Sequence, residues 1–181
     1  MKTKFEIPTR DSVSPAHQTI YDNLTKALGF VPNLYAAFAH SENALSVFLT
    51  AQNTKSSLTP KEKEAISLVV SQVNECKYCL SSHSVFAHKA GLTEEQILEV
   101  RSGTASFDPK LDALVKLSKN ISETKGHADA ELVDNFIGAG YTKGNLIDAI
   151  MLIGIRTITN YVYAIAQPEI DWPIAPELEE A

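Results

Sequence analysis

The sequence has little positive charge and nowhere concentrates it. Its 16 Lys and Arg stand against 22 Asp and Glu, and the formal net charge is −6. Without a run of basic residues the chain has nothing to neutralise a phosphate backbone or an anionic lipid surface. We therefore expect neither nucleic acid nor a membrane as a partner.

An apolar secretory signal is also lacking at the start of the sequence, where Pro8 and charged residues follow the first few positions. The most apolar window, 146–166, is long enough to span a bilayer but contains Asp148 and Arg156. Each charge would cost roughly 2.5–3.5 kcal/mol at mid-membrane. These features predict a cytoplasmic protein in which the window forms a buried or interfacial helix.

Strand patterns are scarce, whereas helix boundaries recur. Ser14, Thr59 and Asp108 each precede a proline, which pairs an N-cap residue with the imino acid suited to the first helical position. Apolar residues keep helical spacing between such marks, as in 66–73. We predict an all-α bundle with helices near 15–28, 33–40, 42–55, 60–74, 76–89, 94–101, 109–123, 130–138 and 143–165.

A faint internal repeat relates residues 58–101 to residues 107–150. Pro60 then aligns with Pro109, although recurring helix caps could produce the same coincidences. We predict one compact domain with four segments: N-terminal helices in 1–57, a motif-bearing repeat in 58–101, a degenerate second repeat in 107–166 and an extended tail in 167–181.

The chain has only two cysteines, and both lie in one Cys-x-x-Cys-x-x-x-His stretch formed by Cys76, Cys79 and His83. On a helix these three positions share one face. A thiolate is the form that attacks peroxides and disulfides, so the thiol proton must be removed. His83 could accept it directly or through one water, and the free N–H groups at a helix start near Cys76 would favour the anion.

A neighbouring cysteine pair suits a redox cycle. Peroxide converts a thiolate to a sulfenic acid, and a second thiol turns that acid into a disulfide until a reductant restores both. A structural disulfide is disfavoured in a cytoplasmic protein, and so short a loop would add little stability.

Two other interpretations of the cysteines stay open. They could be small buried core residues, or they could bind zinc with His83 and a fourth ligand from Glu64 or His88. A second Cys-x-x-Cys, which completes the usual structural zinc set, is lacking. The dithiol cycle itself requires no metal or other cofactor, and we expect none.

Glu64 precedes Cys76 with eleven residues between them. This joint pattern resembles the motif of the alkylhydroperoxidase D-like or carboxymuconolactone decarboxylase-like family, and the likeness covers nearly all the chain. The resemblance implies an all-α helical bundle of the alkylhydroperoxidase D-like type. Flanking segments that resemble the peroxidase-related branch are Gly29-Phe30-Val31-Pro32-Asn33, His40-Ser41 and Leu58-Thr59-Pro60.

The resemblance also implies roles at a hydroperoxide-reducing site. Cys79 would attack the peroxide, Cys76 would resolve the oxidised cysteine and take electrons from a dithiol or protein donor, and Glu64 with His83 would relay the proton. Peroxidase members have a histidine just before the second cysteine, where this chain has Tyr78. Tyrosine is a poor base near neutrality, so a shorter relay and a weaker peroxidase would follow.

Two rival functions remain. Decarboxylation occurs in the same superfamily, but those members generally lack the cysteine pair. A redox-sensing or zinc-stabilised interaction protein would carry the same residues and consume no substrate.

The helix predicted from residue 145 to residue 166 is apolar on nearly every side. A single small domain cannot cover all those faces, so we expect a homo-oligomer. The family resemblance implies a trimer or a hexamer.

Overall fold

A computed structural model describes residues 5–178 of the chain. Within that range nine α-helices are present, which confirms the all-α class. The ends of these helices lie within two residues of their predicted positions. A 3-10 turn at Arg10–Ser12 was not predicted. The helices are α1 (Pro15–Leu28), α2 (Asn33–Phe38), α3 (Ala44–Asn53), α4 (Pro60–Val73), α5 (Lys77–Lys89), α6 (Glu94–Ser102), α7 (Pro109–Glu123), α8 (Ala130–Gly138) and α9 (Lys143–Ala166).

The helix starts are built from the predicted caps. The Ser14 side chain accepts a hydrogen bond from the backbone N–H of His17, and Thr59 forms a reciprocal capping box with Glu62. Both satisfy N–H groups that have no partner within the helix. Helix α1 ends at Gly29, whose φ of 90° is left-handed and suits glycine.

Contacts divide the described chain into two units. The first comprises residues 5–54 and 161–171, and the second comprises residues 55–160 and 172–178. The four-segment division and the internal repeat stay predictions.

In the first unit, aromatic side chains form the centre. The rings of Phe38 and Phe48 stack with centroids 4.7 Å apart. The carboxylate of Asp171 accepts a hydrogen bond from the backbone N–H at the start of α2, at Asn33, over 2.6 Å. This carboxylate satisfies one N–H group at the N-terminus of α2.

In the second unit, α4 is the central helix and packs against α5, α6 and α7. Its side chains Ile66, Leu68, Val69 and Val70 have no solvent exposure. Complete burial of such side chains stabilises a fold by about 1.5–3 kcal/mol each. The packing of α4 against α5 matters for function because α4 carries Glu64 and α5 carries Cys79.

Helix α9 has one exposed apolar side. Ile147, Met151 and Ile158 are 60%, 58% and 51% exposed, and their spacing of four and seven residues places them on one face. Within the described residues, α9 is the one helix whose length and composition would suffice to cross a membrane. A third of its most apolar window is buried, and the core helix of a soluble protein can have the same length and composition.

We propose that a second copy of the chain covers this face of α9, since such a surface marks an interaction site. Light scattering should then give a multiple of 19.8 kDa. Met151→Lys should weaken the assembly, whereas Val47→Lys, at an apolar side chain of α3 that is 64% exposed, should leave it intact. A monodisperse wild-type species of 19.8 kDa at micromolar concentration would rule the proposal out.

Candidate dithiol site

A tight connector between α4 and α5 sets the position of both cysteines. Residue Glu75 adopts a left-handed φ of 54°, which costs a non-glycine residue about 1–2 kcal/mol. The N–H of Cys76 donates to the carbonyl of Ser71 over 2.9 Å. Cys76 thereby becomes the N-cap of α5, and its sulfur accepts a hydrogen bond from the N–H of Cys79 at 3.4 Å.

Both cysteines are free thiols and are almost fully buried, with 1% and 2% exposure. Burial raises the pKa of Cys79, but the effects of Cys76, of the polar groups Asn160 and Thr159 of α9 and of the Arg156 charge outweigh it, and the net pKa is lowered. The hydrogen bond to Cys79, with burial, raises the pKa of Cys76. The pair therefore favours a thiolate at Cys79 beside a protonated Cys76.

Three buried polar residues of α9 approach this pair: Arg156, Thr159 and Asn160, which are 6%, 2% and 1% exposed. The Thr159 hydroxyl oxygen lies 3.9 Å from the sulfur of Cys79 and donates to the carbonyl of Arg156 at 2.8 Å. The residues follow an i, i+3, i+4 spacing, so they occupy one face of α9. That face is the wall of the site opposite α5.

The Asn160 amide is fixed by two neighbours. Its nitrogen donates to the Ser71 hydroxyl at 3.2 Å, and its oxygen accepts from the Asn74 amide at 2.9 Å. The amide also favours the anionic form of both sulfurs and so acts to lower the pKa of each thiol. Asn160 is therefore a pre-oriented polar group for a sulfur anion.

Sequence reasoning missed this wall. Arg156 entered the sequence argument only as a charge inside the apolar window, and Thr159 and Asn160 were not named. A usable signal was present, because three polar residues on one face of the most apolar window must find buried partners. The cysteine pair was the polar, reactive group of the sequence for which such partners were still to be found.

A second chain of contacts joins Glu64, His83 and Arg156. The Nδ1 of His83 lies 2.7 Å from a carboxylate oxygen of Glu64, and Nη1 of Arg156 lies 3.1 Å from Nε2 of His83. A guanidinium can only donate, so Nε2 accepts and the ring proton resides on Nδ1, from which it is donated to Glu64. Burial, and then the charge of Arg156, lower the pKa of His83 against the opposing effect of Glu64.

The structure thus brings the four residues predicted from the sequence into two linked groups, Cys76 with Cys79 and Glu64 with His83. The contacts of His83 differ from those that the sequence suggested. Both ring nitrogens of His83 are engaged by Glu64 and Arg156. The lowered pKa of Cys79 agrees in direction with the sequence interpretation, but its causes are Cys76, the α9 polar groups and the charge of Arg156 rather than a neighbouring imidazole.

The zinc interpretation required a fourth ligand. His88 instead contacts the carbonyl of Leu92 at 3.1 Å and the carboxylate of Glu94 at 2.8 Å. Across residues 5–178, no three His, Cys, Asp or Glu side chains come together as a metal-binding group.

A pH dependence of stability follows from His83. Its pKa in the folded state lies below the ordinary value of 6.5, so the unfolded chain binds more protons as the pH falls through that value. The free energy of unfolding should therefore decline with falling pH, and His83→Gln should decline less. Denaturant titrations between about pH 8 and about pH 5 measure this, and parallel curves for the two proteins would contradict the buried neutral state.

Residues 32–119 match the model of the carboxymuconolactone decarboxylase family. Residues 32–119 belong to this family. The matched segment contains Glu64, Cys76, Cys79 and His83, whereas the three polar residues of α9 lie beyond it. The family resemblance stated from the sequence is confirmed.

Among other family-related proteins, the uncharacterized protein YdfG of Bacillus subtilis (strain 168) is 26% identical over 101 residues, which are 55% of this chain and 69% of that protein. A peroxidase-related protein from Silicibacter sp. TM1040 has a TM-score of 0.82 at 21% identity, covering 93% of this chain and 91% of that one.

An alkylhydroperoxidase AhpD core protein from Ralstonia eutropha JMP134 has a TM-score of 0.84 at 16% identity, over 94% and 93% of the two chains. The debrominase Bmp8, bound to 2,3,4-tribromopyrrole, has a TM-score of 0.77 at 20% identity, over 94% and 93%. These likenesses confirm the alkylhydroperoxidase D-like fold. Their names span several reactions, so membership of this enzyme-containing family does not by itself fix the reaction.

Proposed function

We propose that this protein is a dithiol peroxidase that reduces small hydroperoxides through a Cys76–Cys79 dithiol and disulfide cycle. The supporting observation is the buried sulfur pair, in which the pKa of Cys79 is lowered and that of Cys76 is raised. One cysteine is prepared as a nucleophile and its neighbour retains a proton. Two core cysteines without a chemical role would not need buried polar side chains beside them, as Thr159 is at 3.9 Å from the Cys79 sulfur.

In the first step the Cys79 thiolate attacks the terminal oxygen of the hydroperoxide. The O–O bond breaks, Cys79 becomes a sulfenic acid, and the leaving alkoxide takes a proton to form the alcohol. The Glu64–His83 pair supplies a proton path when Nε2 of His83 is released from Arg156, since the Glu64 side chain retains 19% exposure to solvent. Thr159 and Asn160 hold the sulfur in position from α9.

In the second step the Cys76 sulfur attacks the sulfenic sulfur of Cys79. An S–S bond forms, and the hydroxyl group leaves as water with the proton released from the Cys76 thiol. A dithiol donor then reduces the disulfide by exchange and becomes a disulfide itself. The donor and the hydroperoxide are thus the two partners of the cycle, and no bound cofactor takes part.

The burial of both sulfurs favours small substrates, since a bulky peroxide needs more of the surrounding structure to open. Tyr78, where the resembled peroxidases have a histidine, is itself only 2% exposed. A phenol is a poor base near neutrality, so we expect slower turnover than in members that have the second histidine.

The test is consumption of a small peroxide, ethyl hydroperoxide, with a small dithiol as reductant, measured beside the zinc content of the same preparation. We expect catalytic turnover by zinc-free protein. Stoichiometric zinc without turnover would favour the interaction-protein alternative, and oxidation without repeated turnover would favour a redox sensor.

A further inference from the structure

Arg156 is a buried cation on α9 that contacts the site through His83. Its side chain is 6% exposed, and its guanidinium donates to Nε2 of His83 over 3.1 Å. A buried cation is costly unless negative groups stand close to it. The Glu64 carboxylate is reached through the imidazole, and the charge of Arg156 also acts to lower the pKa of Cys79.

We propose that Arg156 is a positioning residue, which holds the His83 proton on Nδ1 toward Glu64 and replaces an imidazolium as the positive counterpart of the Cys79 thiolate. This inference rests on the proposed function in one respect, namely that Cys79 reacts as a thiolate.

Hydrogen-bond directions carry the argument. An imidazolium would have an N–H at both ring nitrogens, and its Nε2–H would then face the guanidinium N–H at 3.1 Å. Two donors cannot share that contact, so protonation of His83 requires Arg156 to move away. In the arrangement present, the imidazole is a neutral bridge between a carboxylate and a guanidinium.

The charged and titratable groups around the thiolate come from three helices. Helix α4 contributes Glu64, α5 contributes Cys76 and His83, and α9 contributes Arg156, beside the uncharged Thr159 and Asn160. A guanidinium keeps its charge throughout the neutral range. The thiolate should therefore be present while His83 is neutral, unlike the thiolate of a cysteine and histidine ion pair.

Two titrations of the reduced resting protein test this without any peroxide. The ¹⁵N chemical shifts of the His83 ring report its tautomer, and ultraviolet thiolate absorbance against pH reports Cys79. In the wild type we expect the Nδ1–H tautomer at neutral pH. In Arg156→Met we expect mixed tautomers, a higher His83 titration and a neutral-pH thiolate fraction reduced about tenfold or more.

Matched variants separate charge, contact and burial. Arg156→Lys keeps the charge and should retain most of the thiolate, and Arg156→Gln, which also removes the charge, replaces Arg156→Met if that protein does not fold. Arg101→Met removes an equally buried arginine, 3% exposed and bonded to Gln72 and Pro176, and should change neither titration.

An Nε2–H tautomer in the wild type would overturn the inference, and this measurement needs no variant. A thiolate loss in His83→Gln as large as in Arg156→Met would also overturn it. A protein that shows the expected titrations but reduces no hydroperoxide would refute the proposed function and leave the assignment of Arg156 standing.

Discussion

Replacing Cys79 by serine is expected to reduce hydroperoxide turnover by about a thousandfold or more, because a serine hydroxyl is not ionised in this site and cannot be oxidised to a sulfenic acid. Cys76→Ser, oxidised without the external dithiol, should instead permit one oxidation of Cys79 and then stop, since no thiol remains to resolve it. Steady-state assays, with a sulfenic-acid probe on the stopped enzyme, distinguish the two losses.

Ser84→Ala is the matched control for both variants. Ser84 is buried on the same helix, and its hydroxyl has no hydrogen-bond partner. Its removal should therefore leave activity and stability close to those of the wild type. Turnover retained by Cys79→Ser, or a probe-reactive sulfenic acid on Cys76, would reverse the roles assigned to the two cysteines.

Glu64→Gln is expected to lower turnover by roughly 10²–10⁴-fold, the range typical of a removed acid–base group. The amide keeps a contact with His83 but can no longer exchange a proton with solvent. The effect should appear in kcat, with binding of the hydroperoxide little altered. Thermal unfolding of the same sample separates this loss from a loss of fold.

A surface pair of the same chemistry supplies the control. His88 and Glu94 lie 2.8 Å apart, with side chains 47% and 46% exposed. Glu94→Gln should have no effect on turnover. Equal losses in both glutamine variants would indicate a general charge effect, and unchanged turnover in Glu64→Gln would remove Glu64 from the proton path.

The sequence contained enough local information to predict the helices. Proline after Ser14, Thr59 and Asp108 marked three helix starts that the structure places at the same residues. Such signals work because capping is decided by neighbours in the sequence. The 3-10 turn at Arg10–Ser12 had no comparable marker.

The candidate site was predictable only in part. Cys76, Cys79 and His83 share one helix, so spacing alone placed them together. Arg156, Thr159 and Asn160 reach the site from α9, and only tertiary packing shows which buried face of α9 meets α5. The direction of the His83 hydrogen bonds depends on Arg156 and could not be predicted without it.

A single-turnover measurement tests the central claim most directly. Reduced protein is mixed with an equal amount of ethyl hydroperoxide, and the alcohol formed and the mass of the Cys76–Cys79 peptide are both quantified. The dithiol cycle predicts one alcohol per chain and an intramolecular disulfide, seen as the loss of two hydrogen atoms and reversed by a dithiol. Free thiols at both cysteines with the peroxide unconsumed would contradict the cycle, as would irreversible sulfinic acid at Cys79 beside a free Cys76.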